Sequence, residues 1–122
     1  MKTIFLVDDS ATMLMSLESI LKRAGFNVLT AMSGAEALSK IPAARPDLVI
    51  TDLNMPGMDG ITLIKEVKKL ASMRFKPVLM LTTESQGTKR NEAKAAGATG
   101  WLVKPVKAEE LIAVVKQVVP GS

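Results

Sequence analysis

Two adjacent carboxylates end the first apolar run of this 122-residue chain. The sequence begins MKTIFLVDDS, so Asp8 and Asp9 directly follow an Ile-Phe-Leu-Val segment. Neighbouring carboxylates repel each other, and burial makes each of them more costly to ionise. A helix beginning just after Asp9 would favour negative charge at its N-terminus, but one aspartate is enough for a cap. The second carboxylate therefore indicates a further role, such as binding a cation.

Other polar side chains directly follow the later apolar runs. Asp52 follows LVIT, Thr82 and Thr83 follow VLML, and Lys104 follows GWLV. Each of them alone is typical of a turn, a helix cap or a solvated side chain. Three carboxylates in one pocket would repel each other, and one lysine cannot neutralise them. A hard divalent cation can, and Mg²⁺ prefers carboxylate, carbonyl and water oxygens.

Alternating strands and helices are expected to position these residues. The apolar runs predict five strands, at Thr3–Val7, Asn27–Thr30, Leu48–Thr51, Pro77–Leu81 and Gly100–Val103. A stretch with helical periodicity follows each strand. Short connections between such units indicate a parallel sheet with right-handed crossovers and helices on both faces. The candidate residues then share the carboxyl edge of the sheet, where proteins of this architecture bind ligands.

Caps and helix breakers predict the ends of the helices. The first helix should stop at Gly25, and the second should begin with a capping box at Ser33–Glu36 and end before Pro42. The other three helices are expected after Asp59-Gly60, from about Ser85 to Ala96, and from about Ala108 to Val119. Because the fourth has only alanines as apolar anchors, it should be weakly held.

The composition excludes several classes of function. Without cysteine or histidine, the chain cannot form disulfides, thiolate zinc sites or histidine acid–base pairs. The net charge of +4 suggests nucleic-acid binding, but the lysines are scattered and aromatic residues are few, so no nucleic-acid partner is expected. No apolar stretch is long enough to span a bilayer, and the first run is too short for a signal peptide. A cytoplasmic protein with no membrane partner is expected.

The sequence resembles the receiver domain of two-component response regulators, in particular the single-domain chemotaxis type, which is CheY-like. The resemblance covers the whole chain and rests on LVDDS, ITDLNMPGMDG, MLTTES and GWLVKP, in the family's order and spacing. It implies one receiver domain over residues 1–122 without an output domain. It also implies an α/β, flavodoxin-like, doubly wound parallel sheet of five strands in the order 2-1-3-4-5, with five helices.

The resemblance also implies a role for each matching residue. Asp52 is the phosphoacceptor, Lys104 pairs with the incoming phosphoryl group, and Thr82 hydrogen-bonds that group once it is attached. The residues implied to bind Mg²⁺ are Asp9 and Asp52 through carboxylates, Asn54 through its backbone carbonyl, and Asp8 mainly through a metal-bound water. The Lys104–Pro105 peptide bond is expected to be cis.

Trp101 occupies the position of the family's switch aromatic, which is Tyr or Phe in most relatives. Two alternatives stay open because tryptophan is bulkier: its ring moves inward on activation, or the signal travels by the fourth helix and its preceding loop. In both cases the resemblance implies read-out on the face built from helix four, strand five and helix five.

The resemblance implies a phosphorylation-switched signalling protein rather than an enzyme. It would be a monomer that receives phosphate from a histidine kinase and binds a downstream target, in chemotaxis or a related phosphorelay. The alternative is a Mg²⁺-dependent phosphatase with an aspartate nucleophile, but such hydrolases carry D-x-D where this chain has Asp8-Asp9. A flavodoxin-like cofactor binder would need a Ser/Thr/Gly-rich phosphate loop at that point. Which kinase donates the phosphate and which target is bound stay open. So does the choice between a motor regulator, a phosphate sink and a relay intermediate.

Overall fold

Strands and helices alternate throughout residues 1–120, which the computed structural model describes. The strands are β1 Thr3–Val7, β2 Asn27–Ala31, β3 Leu48–Thr51, β4 Val78–Thr82 and β5 Gly100–Val103. The α-helices are α1 Ala11–Arg23, α2 Gly34–Ala44, α3 Gly60–Lys69, α4 Gly87–Ala96 and α5 Ala108–Val118, and a 3₁₀ turn covers Ala71–Met73. The predicted alternation is confirmed.

The strands form one parallel sheet in the order β2-β1-β3-β4-β5, which confirms the predicted topology. Val7 at the end of β1 is in register with Ala31 on one side and Thr51 on the other. At the other side of the sheet, Thr82 is in register with Val103. The residues that follow these strands therefore emerge at the same edge.

Helices cover both faces of the sheet. Along β1, Phe5 and Val7 belong to a core with α2, α3 and α4, whereas Ile4 and Leu6 belong to a second core with α1 and α5. All residues of the central strands β3 and β4 are buried. This agrees with the continuous apolar runs, which are typical of strands covered on both faces.

The second helix does not end before Pro42, as predicted, but continues to Ala44. The proline is exposed, and the preceding Ile41 is fully buried in the core. A proline inside a helix removes one backbone donor and introduces strain. Here the packing of Ile41 outweighs that cost, and the N–H of Arg45 closes the last turn on the Ile41 carbonyl at 2.9 Å.

Smaller boundary differences have local causes. The second strand extends to Ala31, because that residue pairs with Val7. The fourth helix begins at Gly87 instead of Ser85, since Gln86 is extended and its N–H donates to the Glu84 carboxylate at 3.0 Å. The fourth strand is shifted by one residue and the fifth helix is one residue shorter than predicted.

At the amino edge of the sheet, Asp47 connects the start of β1 with the segment that precedes β4. Its carboxylate accepts a hydrogen bond from the N–H of Thr3 at 2.9 Å and pairs with Lys76 at 3.4 Å. Burial alone would raise the pKa of Asp47, but the Thr3 N–H and the ammonium groups of Lys76 and Lys2 outweigh it and bring the pKa below its ordinary 3.8. A carboxyl with a lowered folded-state pKa stabilises the fold above its unfolded pKa and loses that contribution as pH falls through the folded pKa.

Asp47→Asn should therefore lower the free energy of unfolding by about 1 kcal/mol near neutral pH. The difference from the wild type should stay constant above about pH 5 and shrink below about pH 4. Urea denaturation across this range measures it, with the exposed Glu92→Gln as the control carboxylate. A difference that does not change with pH would contradict the assignment.

Candidate functional site

Asp8 is buried at the end of β1, an inner strand of the sheet, with 3% of its surface exposed. One carboxylate oxygen, Oδ1, accepts the N–H of Ser10 at 2.9 Å, and Oδ2 lies 2.7 Å from the Nζ of Lys104. Ser10, and neither aspartate, is the N-cap of α1, and its Oγ accepts the N–H of Met13 at 3.2 Å. The capping role considered for an aspartate is therefore wrong. Neither carboxylate caps α1, so both can contribute to the pocket.

Asp52 follows β3 and is held by its own loop. Its N–H donates to the carbonyl of Val7 at 3.0 Å, and its Oδ1 accepts the N–H of Leu53 at 2.7 Å. Its Oδ2 lies 3.4 Å from the Nζ of Lys104. The carboxylate is thus oriented toward the lysine while 13% of its side chain stays accessible.

Lys104 reaches the pocket from the opposite side, beyond β5. Its N–H donates to the carbonyl of Thr82 at 2.8 Å, which extends the pairing of β4 with β5 by one residue. The side chain is 11% exposed, and its ammonium contacts both Asp8 and Asp52. The bond to Pro105 is cis, as the resemblance implied. A buried charge needs close partners to replace its lost hydration, and the two carboxylates provide them.

Asp8, Asp9 and Asp52 form an acidic cluster in which one oxygen of each lies within 4.8 Å of the others. Asp9 is exposed and has no hydrogen bond or ion pair within residues 1–120. Mg²⁺ binds oxygen ligands at about 2.1 Å, so two ligands of one ion lie at most about 4.2 Å apart. The cluster therefore fits a hard divalent cation after only small side-chain movements.

The other two predicted site residues do not contact the carboxylates through hydrogen bonds. Thr82 is fully buried at the end of β4, and its Oγ1 accepts the N–H of Glu84 at 3.3 Å. Asn54 is exposed in the loop between β3 and α3. Their roles toward the phosphoryl group and the metal stay predictions.

Trp101 is partly buried on β5 and is hydrogen-bonded to the loop that precedes α4. Its indole Nε1–H donates to the carbonyl of Glu84 at 3.1 Å, and the guanidinium of Arg90 lies 5.9 Å from the ring centroid. That distance is within the range of cation–π attraction. Sequence reasoning identified Trp101 by its position but missed this hydrogen bond, because the bond joins a side chain to a backbone carbonyl seventeen residues away.

Gly60 is a second residue of the site whose contact was missed. Its N–H donates to the carbonyl of Leu53 at 2.8 Å, and a Cβ added to it would lie 2.3 Å from the carbonyl oxygen of Asp52. The N-terminus of α3 therefore packs directly on the backbone of Asp52. The Asp59-Gly60 pair indicated the helix start, which is confirmed with Asp59 as N-cap, but not this close approach.

A parallel sheet with three carboxylates and a lysine at its carboxyl edge defines the receiver class. The model of the family described as response regulator receiver domain matches residues 4–116. The chain therefore belongs to the response regulator receiver domain family. Members are phosphorylation-switched signalling proteins, and this chain is CheY-like.

Two curated relatives show how much of the chain is shared. Protein PilG of Pseudomonas aeruginosa is 32% identical over 118 residues, which cover 97% of this chain and 87% of PilG. The transcriptional regulatory protein PrrA of Mycobacterium tuberculosis is 39% identical over 113 residues, which cover 93% of this chain. The chain spans 48% of the length of PrrA.

Two solved structures share the fold over nearly the whole chain. The Vibrio cholerae chemotaxis protein CheY4 has 44% sequence identity and a TM-score of 0.94, with 97% of this chain and 98% of CheY4 covered. The receiver domain of the sensor histidine kinase PA1611 from Pseudomonas aeruginosa PAO1 has 26% identity and a TM-score of 0.90, with 99% and 98% covered. That structure is described with a magnesium ion coordinated in its active site cleft. In this chain, none of the helices in residues 1–120 is long and apolar enough to cross a bilayer.

Proposed function

We propose that this protein accepts a phosphoryl group from a histidine kinase onto Asp52, with Mg²⁺ bound, and then signals by binding a downstream protein. The observation that carries the proposal is the position of Lys104, whose ammonium lies 2.7 Å from Asp8 and 3.4 Å from Asp52. A nucleophile, a fixed cation and a cluster of metal-binding oxygens are what phosphoryl transfer to a carboxylate needs.

In the proposed transfer, the Asp52 carboxylate attacks the phosphorus of a phosphohistidine. The new O–P bond forms as the P–N bond breaks, and the histidine nitrogen leaves with the electron pair. Lys104 compensates the charge on the transferring oxygens. Asp8, Asp9, Asp52 and the carbonyl of Asn54 would hold Mg²⁺, which supplies further positive charge to the same oxygens.

The contacts of Lys104 suggest how metal binding and transfer are coupled. Its shorter contact is with Asp8, and its contact with Asp52 is longer by 0.7 Å. Binding of a divalent cation by Asp8 would weaken the Asp8–Lys104 pair, because the carboxylate then shares its charge with the metal. The ammonium is then available to the phosphoryl group on Asp52.

The same geometry supports a route for the signal. An aspartyl phosphate carries close to two negative charges, and the Thr82 hydroxyl would leave the N–H of Glu84 to hydrogen-bond it. Since the carbonyl of Glu84 holds the Trp101 indole, a shift of this loop also moves Trp101 or breaks its hydrogen bond. The buried anchor of α4 is Ala93, a small residue, so the helix has little buried area to lose when it moves.

The 44% identity to a chemotaxis protein supports a role in chemotaxis or a related phosphorelay. The proposed read-out face consists of α4, β5 and α5. Arg90 and Lys94 on α4 are exposed there, which favours an acidic target.

Titration with Mg²⁺ tests the metal site. Backbone NMR shifts around Asp8 and Asp52, or Trp101 fluorescence, should change and saturate. Asp9→Ala should weaken binding at least about tenfold, because it removes one charged ligand. Asp47→Ala, which removes a carboxylate at the opposite edge, should leave the affinity unchanged. The absence of a saturable response in the wild type would contradict the site.

Beryllofluoride with Mg²⁺ tests the read-out face. As a phosphoryl mimic on Asp52, it should cause large amide shifts from Thr82 to Gly97 and around Trp101. Thr82→Ala should reduce these shifts, whereas Thr83→Ala, a change to the exposed neighbour, should not. Shifts confined to the pocket, with α4 unaffected, would mean that this face is not the output surface.

A further inference from the structure

The amino edge of the sheet carries a surface that the proposed phosphorylation chemistry does not use. Phe75, in the loop before β4, is 92% exposed. An open groove of about 470 Å³ is lined by Arg45, Ala71, Ser72 and Lys76, and Lys76 directly follows Phe75 in the chain. We define the basal patch as this groove together with the exposed Arg74 and Phe75, which lie between Ser72 and Lys76 in the chain.

Phe75 lies in a turn that is fixed by hydrogen bonds. The N–H of Lys76 donates to the carbonyl of Met73 at 3.2 Å, which closes the turn with Arg74 and Phe75 at its tip. Met73 is fully buried. The ammonium of Lys68 binds the carbonyl of Met73 at 3.4 Å and also that of Lys76. Little backbone entropy would therefore be lost when a partner contacts the exposed ring.

The basal patch is strongly positive. Arg45 and Arg74 are exposed and have no carboxylate partner within residues 1–120. Lys76 shares the Asp47 carboxylate with Lys2, whose charge acts on the same group. The patch therefore carries Arg45, Arg74 and Lys76, of which only Lys76 has a carboxylate partner within residues 1–120, and this excess of positive charge favours a negatively charged partner.

We propose that the basal patch binds an acidic segment of a partner protein that carries a large apolar side chain. The apolar side chain would contact Phe75, and the acidic side chains would pair with Arg45 and Arg74. The groove lined by Arg45, Ser72 and Lys76 favours a peptide over a flat lipid surface, because a side chain can enter it.

This contact should not depend on phosphorylation. Asp47, which pairs with Lys76 of the patch, and Asp52 flank β3 at its two ends and are about 16 Å apart along the strand. This is about twice the Debye length at physiological salt, and a fully buried strand separates the two ends. The basal patch would then hold the receiver to a partner in both of its states.

Selection from a random peptide display library tests the proposal. The full chain is the target, and peptides that also bind a Phe75→Ala/Arg74→Glu variant are removed. Both residues are exposed, so the variant should keep the wild-type unfolding midpoint. The selected peptides should be acidic and contain a large apolar residue. A synthetic copy should bind Phe75→Ala at least about tenfold more weakly than the wild type.

Two controls decide whether the contact is the proposed one. Met15→Ala, which truncates an exposed apolar side chain on α1, should leave the peptide affinity unchanged, and beryllofluoride should do so too. Failure to enrich any peptide, enrichment of peptides without acidic residues, or an affinity that changes with beryllofluoride would overturn the proposal. So would binding of phosphatidylserine vesicles that is lost in Phe75→Ala, since it would assign the patch to a lipid surface.

Discussion

Asp52→Asn should abolish phosphoryl uptake from acetyl phosphate while the fold stays intact. The amide has nearly the shape of the carboxylate and can still accept the N–H of Leu53. It lacks the negative charge and nucleophilicity that the attack on phosphorus requires. Intact mass after incubation with acetyl phosphate and Mg²⁺ should show one added phosphoryl group on the wild type and none on the variant.

Asp47→Asn is the matched control, because it makes the same chemical change at the opposite edge of β3. It should be labelled as fully as the wild type. The label should be stable in acid and lost in alkali or hydroxylamine, as expected of an acyl phosphate. Equal labelling of Asp52→Asn and the wild type would refute the assignment. Repeated turnover of a generic phosphomonoester would instead favour the phosphatase alternative.

Gly60→Ala should be the most destabilising single-methyl change in the pocket. The added Cβ would lie 2.3 Å from the Asp52 carbonyl oxygen and 2.9 Å from the Cα of Leu53. Both are backbone atoms, so the start of α3 or the Asp52 loop must shift. We expect the free energy of unfolding to fall by about 3 kcal/mol, the upper range for overpacking. Urea denaturation measures the change.

Gly87→Ala provides the matched control, since it makes the same substitution at the first residue of another helix. An added Cβ there meets nothing within 4 Å. Its expected effect is a gain of about 0.5 kcal/mol, because alanine restricts the unfolded chain more than glycine does. Similar small effects of both substitutions would show that α3 does not need to approach Asp52 so closely. In that event Asp52→Asn would still test the phosphoacceptor independently.

The carboxyl-edge site was largely predictable from the sequence because its members are defined by local pattern. Asp8, Asp52 and Lys104 each follow an apolar run, and parallel topology brings the carboxyl ends of such runs to one edge. The strand order was available only through the resemblance to receiver domains, since five similar βα units do not by themselves define which strands are neighbours.

Local rules failed where tertiary packing opposed them. A proline normally ends a helix, but α2 passes Pro42 because the buried side chain of Ile41 holds the helix on the sheet. An aspartate was a reasonable cap for α1, but Ser10 takes that position and Asp8 turns toward Lys104. For α2 a tertiary contact outweighed a local preference, whereas Ser10 caps α1 by a local rule, because serine is itself a preferred N-cap residue.

The sequence by itself determined the alternation of elements, the two-sided burial of the sheet and the residues at its carboxyl edge. The tertiary structure decided the hydrogen bond from Trp101 to Glu84, the contact of Gly60 with Asp52, and the pairing of Lys104 with Asp8. It also brought Arg45 and Lys76, which lie in separate loops, to one groove at the amino edge. The reason is physical: periodicity records which residues are buried, whereas contacts between distant segments depend on how whole elements pack.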